Sequence, residues 1–469
     1  MHNNFDFANH LYYNYTHYQE KSLQIRRFKH ADLVNLINKL KDNDIFTLNK
    51  AGESVEGRPV YLVSAGSGDK KVLLWSQMHG DEATATMAIF DIFNFFSAND
   101  DANEVRKELL SKLTIYFVPM LNPDGTEKFQ RRNAHNIDIN RDAVRLQTPE
   151  GKILKKMVDT LKPDFGYNLH DQTTRYTVGK NPNCAAISLL APTIDHEKST
   201  NAIRKDAIKL AASFYQIVSR FIPGHVAKYS DDFEFRAFGD NVQKWGVRTI
   251  LVESGGWKND PEKQFLRKIN FIGILSSLES IADSSFKKET KKTYENIPFN
   301  QELLFDVLLR NLLVNLDGKK IIMDFGINHY ENNCDGNKSF YYKSALDDMG
   351  DLSTYYGYED LDLSGYSIEP GKIYERRFNS IEEIKNLKFN DLHKNGYTDV
   401  VLESDKIEDD FIRLPLNIRT KNDALNKIEM GTSPNFSIKK DNQVKYIIVN
   451  GFVCDVDDAN GKILNGLIV

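Results

Sequence analysis

Between residues 58 and 282 the sequence switches repeatedly between two periods, and this alternation limits the possible folds more than any single residue does. RPVYLVSA (58–65), KVLLWSQ (71–77), LTIYFVP (113–119), DFGYNLH (164–170), AAISLLA (185–191) and RTILVES (248–254) are short, β-branched or aromatic, and nearly continuous in apolar character. Between them lie EATATMAIFDIFNFF (82–96), PEGKILKKMVDTLK (149–162), the stretch 199–222 and the stretch 261–282, all with helical spacing. Strands that are apolar on both faces need cover on both, so the pattern predicts an α/β fold. Its sheet is mixed and largely parallel, sandwiched by helices.

The rest of the chain is organised around that core. HADLVNLINKLKDN (30–43) reads as a short amphipathic helix, and residues 1–30 ahead of it as a loose lead-in. The lysine-rich segment SFKKETKKTYENIP (285–298) breaks the alternation and reads as a solvated linker over 286–298. This sets the expected catalytic domain at 30–285 and a smaller β-rich C-terminal domain, with no role assigned, at 299–469. That domain closes with KYIIVNGFVCDV (445–456) and KILNGLIV (462–469), two alternating runs with Asn-Gly turns of the hairpin type. A chain of 469 residues is too long for one ordinary core, in keeping with two domains.

Composition excludes several function classes. No apolar run is long enough to span a membrane, and the start MHNNFDFANHLYY lacks the basic and apolar regions of a secretory signal. Cys184, Cys334 and Cys454 are odd in number and far apart, which suits neither a disulfide framework nor a cysteine zinc site. A cytoplasmic location is therefore expected. A net charge of -5 offers no electrostatic basis for a nucleic-acid or membrane partner, and oligomeric state stays open.

The chemistry gathers at the ends of the predicted strands. MHGDE (78–82) follows one of them directly, and its His79 and Glu82 are three residues apart where strand gives way to helix. Imidazole nitrogen and carboxylate oxygen suit Zn²⁺, whose catalytic sites take three protein ligands and leave one position open. A lone His-x-x-Glu is a weak signal. His170 ends a second strand in YNLHDQ, where the carboxyl edge of the same sheet would place a third ligand. RRNAHNIDINRD (131–142), just after NPDG (122–125), gathers Arg131, Arg132 and Arg141 with Asn140. Their guanidinium forks fit a carboxylate or a developing oxyanion. Glu253, in TILVESGG (249–256), ends a further strand and could serve as base to a water at the metal.

Taken together, GESVEGRPVYL (52–62), His-x-x-Glu, NPDG, Arg followed by Asp-x-Asn-Arg, a single His and a late strand-end Glu resemble the zinc carboxypeptidase family, the funnelin-type metallocarboxypeptidases, over residues 30–285. The resemblance implies a zinc-carboxypeptidase-like catalytic fold with one Zn²⁺ per chain, held by His79, Glu82 and His170. It implies that Asn140 and Arg141 grip the substrate's terminal carboxylate and that Arg131 polarises the scissile carbonyl. Asp138 would orient the first ligand histidine, and Glu253 would act as general base and acid toward a zinc-bound water. Asn136 stands where the family usually has glycine, which implies a left-handed backbone there. Tyr229, 24 residues before Glu253 (253 − 229), is the candidate for the family's substrate-covering tyrosine, and a packing role is equally open. The stretch SDDFEFRAFGDN (230–241) would line the entrance. Within it, Arg236 either reads an acidic substrate side chain or pairs with Asp231 or Asp232.

The expected activity is metal-dependent hydrolysis of a C-terminal peptide or amide bond, on a peptide or small amide with a free carboxylate. Two other readings stand beside it. An aspartoacylase-like amidase of small N-acyl amino acids is suggested by HDQTT (170–174) and by the 91 residues between the two histidines (170 − 79). A non-catalytic binding module on the same fold would normally have lost a ligand or the base, and here every position is filled.

Overall fold

The computed structural model describes residues 6–403, 413–420, 423 and 425–458. Its contacts divide the chain into two compact units, Met1–Glu302 and Leu303–Val469.

The first unit is an eight-stranded mixed sheet between helices. In chain order its elements are α1 (Phe7–Tyr18), α2 (His30–Lys39), β1 (Phe46–Glu53), β2 (Pro59–Ala65), β3 (Lys70–Trp75), α3 (Thr84–Ser97), α4 (Asn103–Lys112), β4 (Leu113–Val118), α5 (Pro123–Lys128), α6 (Pro149–Leu161), β5 (Phe165–Asp171), β6 (Tyr176–Val178), β7 (Ile187–Leu190), α7 (Ala202–Val218), β8 (Val226–Lys228), α8 (Phe238–Lys244), β9 (Arg248–Ser254), α9 (Gln264–Ala282), α10 (Lys291–Glu295) and β10 (Asn300–Glu302). The sheet order is β1-β2-β4-β3-β5-β9-β7-β8. Its centre, β4-β3-β5-β9, is parallel throughout, while β1, β2 and β7 bring antiparallel pairings.

Strand geometry explains why the central runs are apolar at every position. Successive side chains point to opposite faces. Val72 and Leu74 of β3 join the core under α3, α7 and α9, whereas Leu73 and Trp75 join a second core with Leu154 of α6 and Phe238 and Val242 of α8. All four β3 residues are fully buried. The helices start where local chemistry allows: Thr148 caps α6 on Gly151 N with Pro149 in its first turn, and Asn201 caps α7 on Arg204 N.

Two expectations are corrected here. The predicted loose lead-in forms α1, with Phe7, Leu11, Tyr15 and Tyr18 as a buried helical stripe. The Tyr15 hydroxyl donates to Asp91 (2.8 Å) and the Tyr18 hydroxyl to Asp100 (2.7 Å). The spacing of Phe7, Leu11, Tyr15 and Tyr18 by four, four and three is what the reading as lead-in overlooked. The predicted solvated linker is likewise packed. Phe286 and Tyr294 are buried, and Tyr294 Oη accepts from Ala191 N (3.0 Å), while the intervening lysines stay outside. The segment then adds β10 antiparallel to β6.

The second unit is β-rich. Its larger sheet contains β11 (Leu304–Leu316), β12 (Lys319–Cys334), β13 (Ser339–Gly350), β14 (Tyr356–Asp362), β15 (Ser367–Pro370), β19 (Phe436–Lys440), β20 (Gln443–Val449) and β21 (Phe452–Asp455). A small parallel sheet of β16 (Lys372–Phe378), β17 (Tyr397–Leu402) and β18 (Asn417–Thr420) carries α11 (Ile381–Lys385) and α12 (Phe389–Lys394). The expected terminal hairpin is β20–β21, turned by Asn450 and Gly451, both at positive φ (47° and 80°). The run 462–469 lies outside the described residues.

Candidate metal centre

β3, β5 and β9 are adjacent and parallel, so their carboxyl ends meet at one edge of the sheet. His79 follows β3, His170 lies in β5, and Glu253 lies in β9 in direct register with His170. Residues 91 and 83 apart in the chain (170 − 79, 253 − 170) become neighbours by strand order alone.

The turn carrying His79 is held from several sides. Gln77 is fully buried and sits at φ 45°, a strained conformation for a residue with a side chain. Its amide donates to Gly80 O (3.1 Å) and to Thr126 Oγ1 (3.2 Å). A Cβ on Gly80 would lie 2.0 Å from the Gly125 carbonyl carbon, so the MHGDE turn rests backbone to backbone on the NPDG turn. Asn122 caps α5 on Gly125 N (2.9 Å). Asp124 accepts from Ser54 Oγ (2.7 Å), Glu56 N (3.0 Å) and Arg58 Nη1 (2.6 Å). Three of the motifs read from the sequence are thus one support, stacked beneath the site.

Within the site, Glu82 takes one histidine on each carboxylate oxygen: His79 Nδ1 at 2.7 Å and His170 Nδ1 at 2.6 Å. The donor atoms of the three residues lie within 4.8 Å of one another, and all three residues are buried. His79 Nε2 is 3.0 Å from Asp138 Oδ1, while Arg131 Nε donates to the other Asp138 oxygen at 3.0 Å. Asp138 also accepts from Asn140 N (2.9 Å), opening the short turn Ile139–Arg141. One carboxylate therefore orients a ligand histidine and places Asn140 and Arg141.

These residues fit a zinc ion. Two imidazole nitrogens and a carboxylate oxygen converge on one point, and the first histidine is backed by a second carboxylate. The electrostatics agree. Burial opposes a charged His79, but the Glu82 charge and the bond to Asp138 outweigh it and push the imidazole up to about 9. Burial likewise opposes the Glu82 carboxylate, and the two histidines hold it well below its usual range. A proton on His79 here supplies the positive charge that a bound cation would supply in its place. Burial, followed by the Glu82 charge, pushes Glu253 well above the ordinary carboxyl range, and Glu253 Oε2 has no hydrogen-bond partner among the described residues.

A cleft of about 340 Å³ opens over this edge. It is lined by all of the sequence-predicted site residues, His79, Glu82, Arg131, Asn140, Arg141, His170, Tyr229 and Glu253. Arg141 Nε lies 3.3 Å from Glu234, and Asn140 Oδ1 accepts from Phe238 N (2.9 Å), so the stretch 234–238 braces the pair. Tyr229 follows β8, its ring edge-on to Tyr176 with centroids 6.5 Å apart. Asn136 has the left-handed φ of 59° expected of it. The expected pairing of Arg236 with Asp231 or Asp232 is corrected. Arg236 makes two 2.9 Å bonds to Glu234, because Asp231 and Asp232 are taken by Lys198 (2.6 and 3.0 Å). The stretch 230–241 lines the cleft through Ser230, Asp232, Glu234, Ala237, Gly239 and Asp240, whereas sequence reasoning missed Asn168, Gln172 and Tyr176 of its wall. Only Asn168, a polar residue two places before His170 in an apolar strand, carried a usable signal.

Residues 33–176 match the family model described as zinc carboxypeptidase. The match covers less than a third of the chain. It contains all three candidate ligands, whereas Glu253 lies beyond it and is brought in by the sheet. Among curated proteins, the chain is 29% identical over 150 residues to Carboxypeptidase 2 of Trichophyton rubrum, covering 30% of this chain and 27% of that protein. It is 26% identical over 142 residues to Carboxypeptidase SOL1 of Arabidopsis thaliana, covering 27% and 29%. The chain therefore spans about a quarter of the length of the curated relatives it matches. A solved metallo-carboxypeptidase from Burkholderia cenocepacia is 17% identical, with a TM-score of 0.43 over 54% of this chain and 70% of that one.

Proposed function

We propose that the Met1–Glu302 unit is a metallocarboxypeptidase that hydrolyses the C-terminal peptide or amide bond of a substrate with a free carboxylate. The observation that carries this reading is the register of His170 with Glu253, which sets an unpaired buried carboxylate beside the three candidate ligands at the head of one cleft. His79, Glu82 and His170 would hold a zinc ion, which when bound supplies a Lewis acid for the scissile carbonyl and acidifies water. Arg141 and Asn140 take the terminal carboxylate. Both line the cleft, with Asn140 Oδ1 engaged by Phe238 N, Arg141 Nε by Glu234 and Arg141 Nη1 by Asn140 O, so the Asn140 amide nitrogen and Arg141 Nη2 are the groups assigned to the carboxylate. Arg131, anchored through Asp138, offers its remaining N–H groups to the oxygen on which negative charge grows. Glu253 Oε2 accepts the proton of the attacking water and returns it to the leaving amine.

Metal content and turnover in the wild type and in Glu253→Gln test the proposal, using a mixed set of peptides and N-acyl amino acids. The proposal expects about one zinc per chain in both proteins, and C-terminal amino-acid release from the wild type alone. Loss of a positioned acid–base group lowers the rate by about 10²–10⁴. A wild type without metal, or a fully active variant, refutes the assigned roles. Release of acyl groups from N-acyl amino acids, with no action on peptides, would move the activity to the amidase class.

A further inference from the structure

The last strand of the first unit, β10, is bound into the cleft wall. It pairs with β6 residue by residue: Asn300 with Val178, Gln301 with Thr177 and Glu302 with Tyr176. β6 is three residues long and stands outside the eight-stranded sheet, with β10 as its one strand partner among the described residues. The Thr177 hydroxyl adds a bond to Gln301 O (3.1 Å). The residues just before β10 fasten the end of β8. Lys228 N donates to Pro298 O (2.7 Å), and the Lys228 ammonium lies 4.2 Å from the centre of the Phe299 ring. Tyr176 and Tyr229, which both line the cleft, therefore hang from the one segment 298–302.

Asn300 also reaches the site through its side chain. Its amide donates to Gln172 Oε1 (3.0 Å). Gln172 Nε2 donates to Ala185 O (2.9 Å), and Gln172 N donates to Ser254 O (3.0 Å), one residue past Glu253. Gln172 is buried and lines the cleft. With Nε2 committed to Ala185, its oxygen takes its donor from Asn300.

The place of Gln172 along the cleft gives this bond a purpose. Asn168, His170 and Gln172 stand at every second position, so their side chains leave one face of β5 and its extension in a line. The Asn168 end adjoins Gly239, next to Phe238, whose N–H holds Asn140. A substrate with its terminal carboxylate on Asn140 and Arg141 therefore runs past the metal-binding edge toward Gln172 and Tyr176 with the residues on the N-terminal side of its scissile bond.

We infer that β10 is a positioning element of the candidate active site and that Asn300 is its positioning residue. Asn300 fixes Gln172, and the pairing with β6 fixes Tyr176, as the wall that receives those substrate residues. The inference rests on the carboxypeptidase reading above. It assigns a role in the cleft to a residue 47 places beyond Glu253 (300 − 253). A substrate of several residues gains from this wall, whereas an acylated amino acid is too short to reach it.

The test compares the zinc-loaded full chain with Asn300→Leu, similar in size but without donors, and with Asn300→Ala. Substrates are N-acetyl tripeptides and N-acetyl amino acids that share a C-terminal Phe, Lys or Glu. Calorimetric titrations of the same compounds use the Glu253→Gln background, with and without Asn300→Leu. The wild type should favour the tripeptides. Both Asn300 variants should raise KM for the tripeptides by about tenfold, with kcat, zinc content and KM for the acetyl amino acids nearly unchanged. A general loosening of the fold would weaken both substrate classes alike. Equal losses for the two classes, no loss in either variant, or a wild type that gains nothing from the longer substrate overturns the inference. If no compound releases its C-terminal amino acid, the carboxypeptidase reading fails. The titrations then decide separately: a tripeptide advantage that Asn300→Leu abolishes keeps the assignment of β10, and its absence ends it.

Discussion

Replacing Arg267 by methionine should cost the first unit several kcal/mol, and the structure indicates how many. Arg267 of α9 and Asp91 of α3 both have fully buried side chains. Arg267 donates to Asp91 through Nε (2.7 Å) and Nη2 (2.5 Å), and its other N–H groups reach Glu20 O (2.9 Å), Gln264 Oε1 (3.0 Å) and Leu23 O. Without it, Asp91 retains only the Tyr15 hydroxyl (2.8 Å) and Glu20 N (2.7 Å), and two backbone carbonyls lose their donor. Breaking a buried pair from one side typically costs about 3–5 kcal/mol, since the surviving charge stays buried and uncompensated. For a unit of 302 residues the unfolding entropy is about 0.63 kcal/mol/K at ~2.1 cal/mol/K per residue, so Tm should fall by about 5–8 °C. Differential scanning calorimetry and chemical denaturation of the full chain measure it. The double variant Asp91→Leu with Arg267→Met removes the orphaned charge and should regain a good part of the loss. A Tm shift below ~2 °C for the single variant, or no recovery in the double, would show that the pair does not hold Tyr15, Glu20 and Leu23 to α3 and α9.

Three further outcomes follow from the site and its frame. Asp138→Ala removes the partner of His79 Nε2 and should weaken zinc affinity by about 10–100-fold in a chelator-competition titration, with little change if Asp138 only supports the turn. Arg141→Met should raise KM by about ten- to a hundredfold for substrates with a free carboxylate and leave KM for the corresponding C-terminal amide nearly unchanged. Burial, with the charges of Asp283, Glu108 and Asp6, pushes the Glu279 carboxyl up to about 7. The fold thus prefers it protonated, and the stability it contributes is lost as pH rises from its unfolded value of 4.5 toward 7. Glu279→Gln should therefore be more stable than the wild type in urea unfolding at pH 8, with the margin vanishing below about pH 4.5.

The central sheet was legible because its strands are buried on both sides and have little choice of residue. All six predicted runs became strands, within a residue or two of their expected ends. What failed was the reading of segments whose burial depends on partners elsewhere. The aromatic stripe of α1 resembles a polar lead-in until Asp91, Asp100 and Phe271 are there to receive it. Phe286 and Tyr294 are hidden between lysines that do stay in water. The Arg236 pairing failed for a similar reason. Glu234 is two residues away and reaches back to it, whereas the nearby aspartates are engaged by Lys198, 33 and 34 residues distant.

The motifs that made the family resemblance do two different kinds of work, and the sequence gives them equal weight. His79, Glu82 and His170 face the cleft, but GESVEGRP and NPDG do not reach it. They meet through Asp124 and present Gly125 as a flat seat for Gly80. That seat fixes the turn between β3 and α3, and with it the three-residue offset that lets His79 and Glu82 face one point. A substitution at Asp124 or Gly125 would thus disturb the metal site without touching it. Conversely, Asn168, Gln172 and Tyr176 lie in the cleft with no motif to mark them. Motif spacing therefore identifies the ligands and the frame that holds them, and leaves the rest of the cleft wall unmarked.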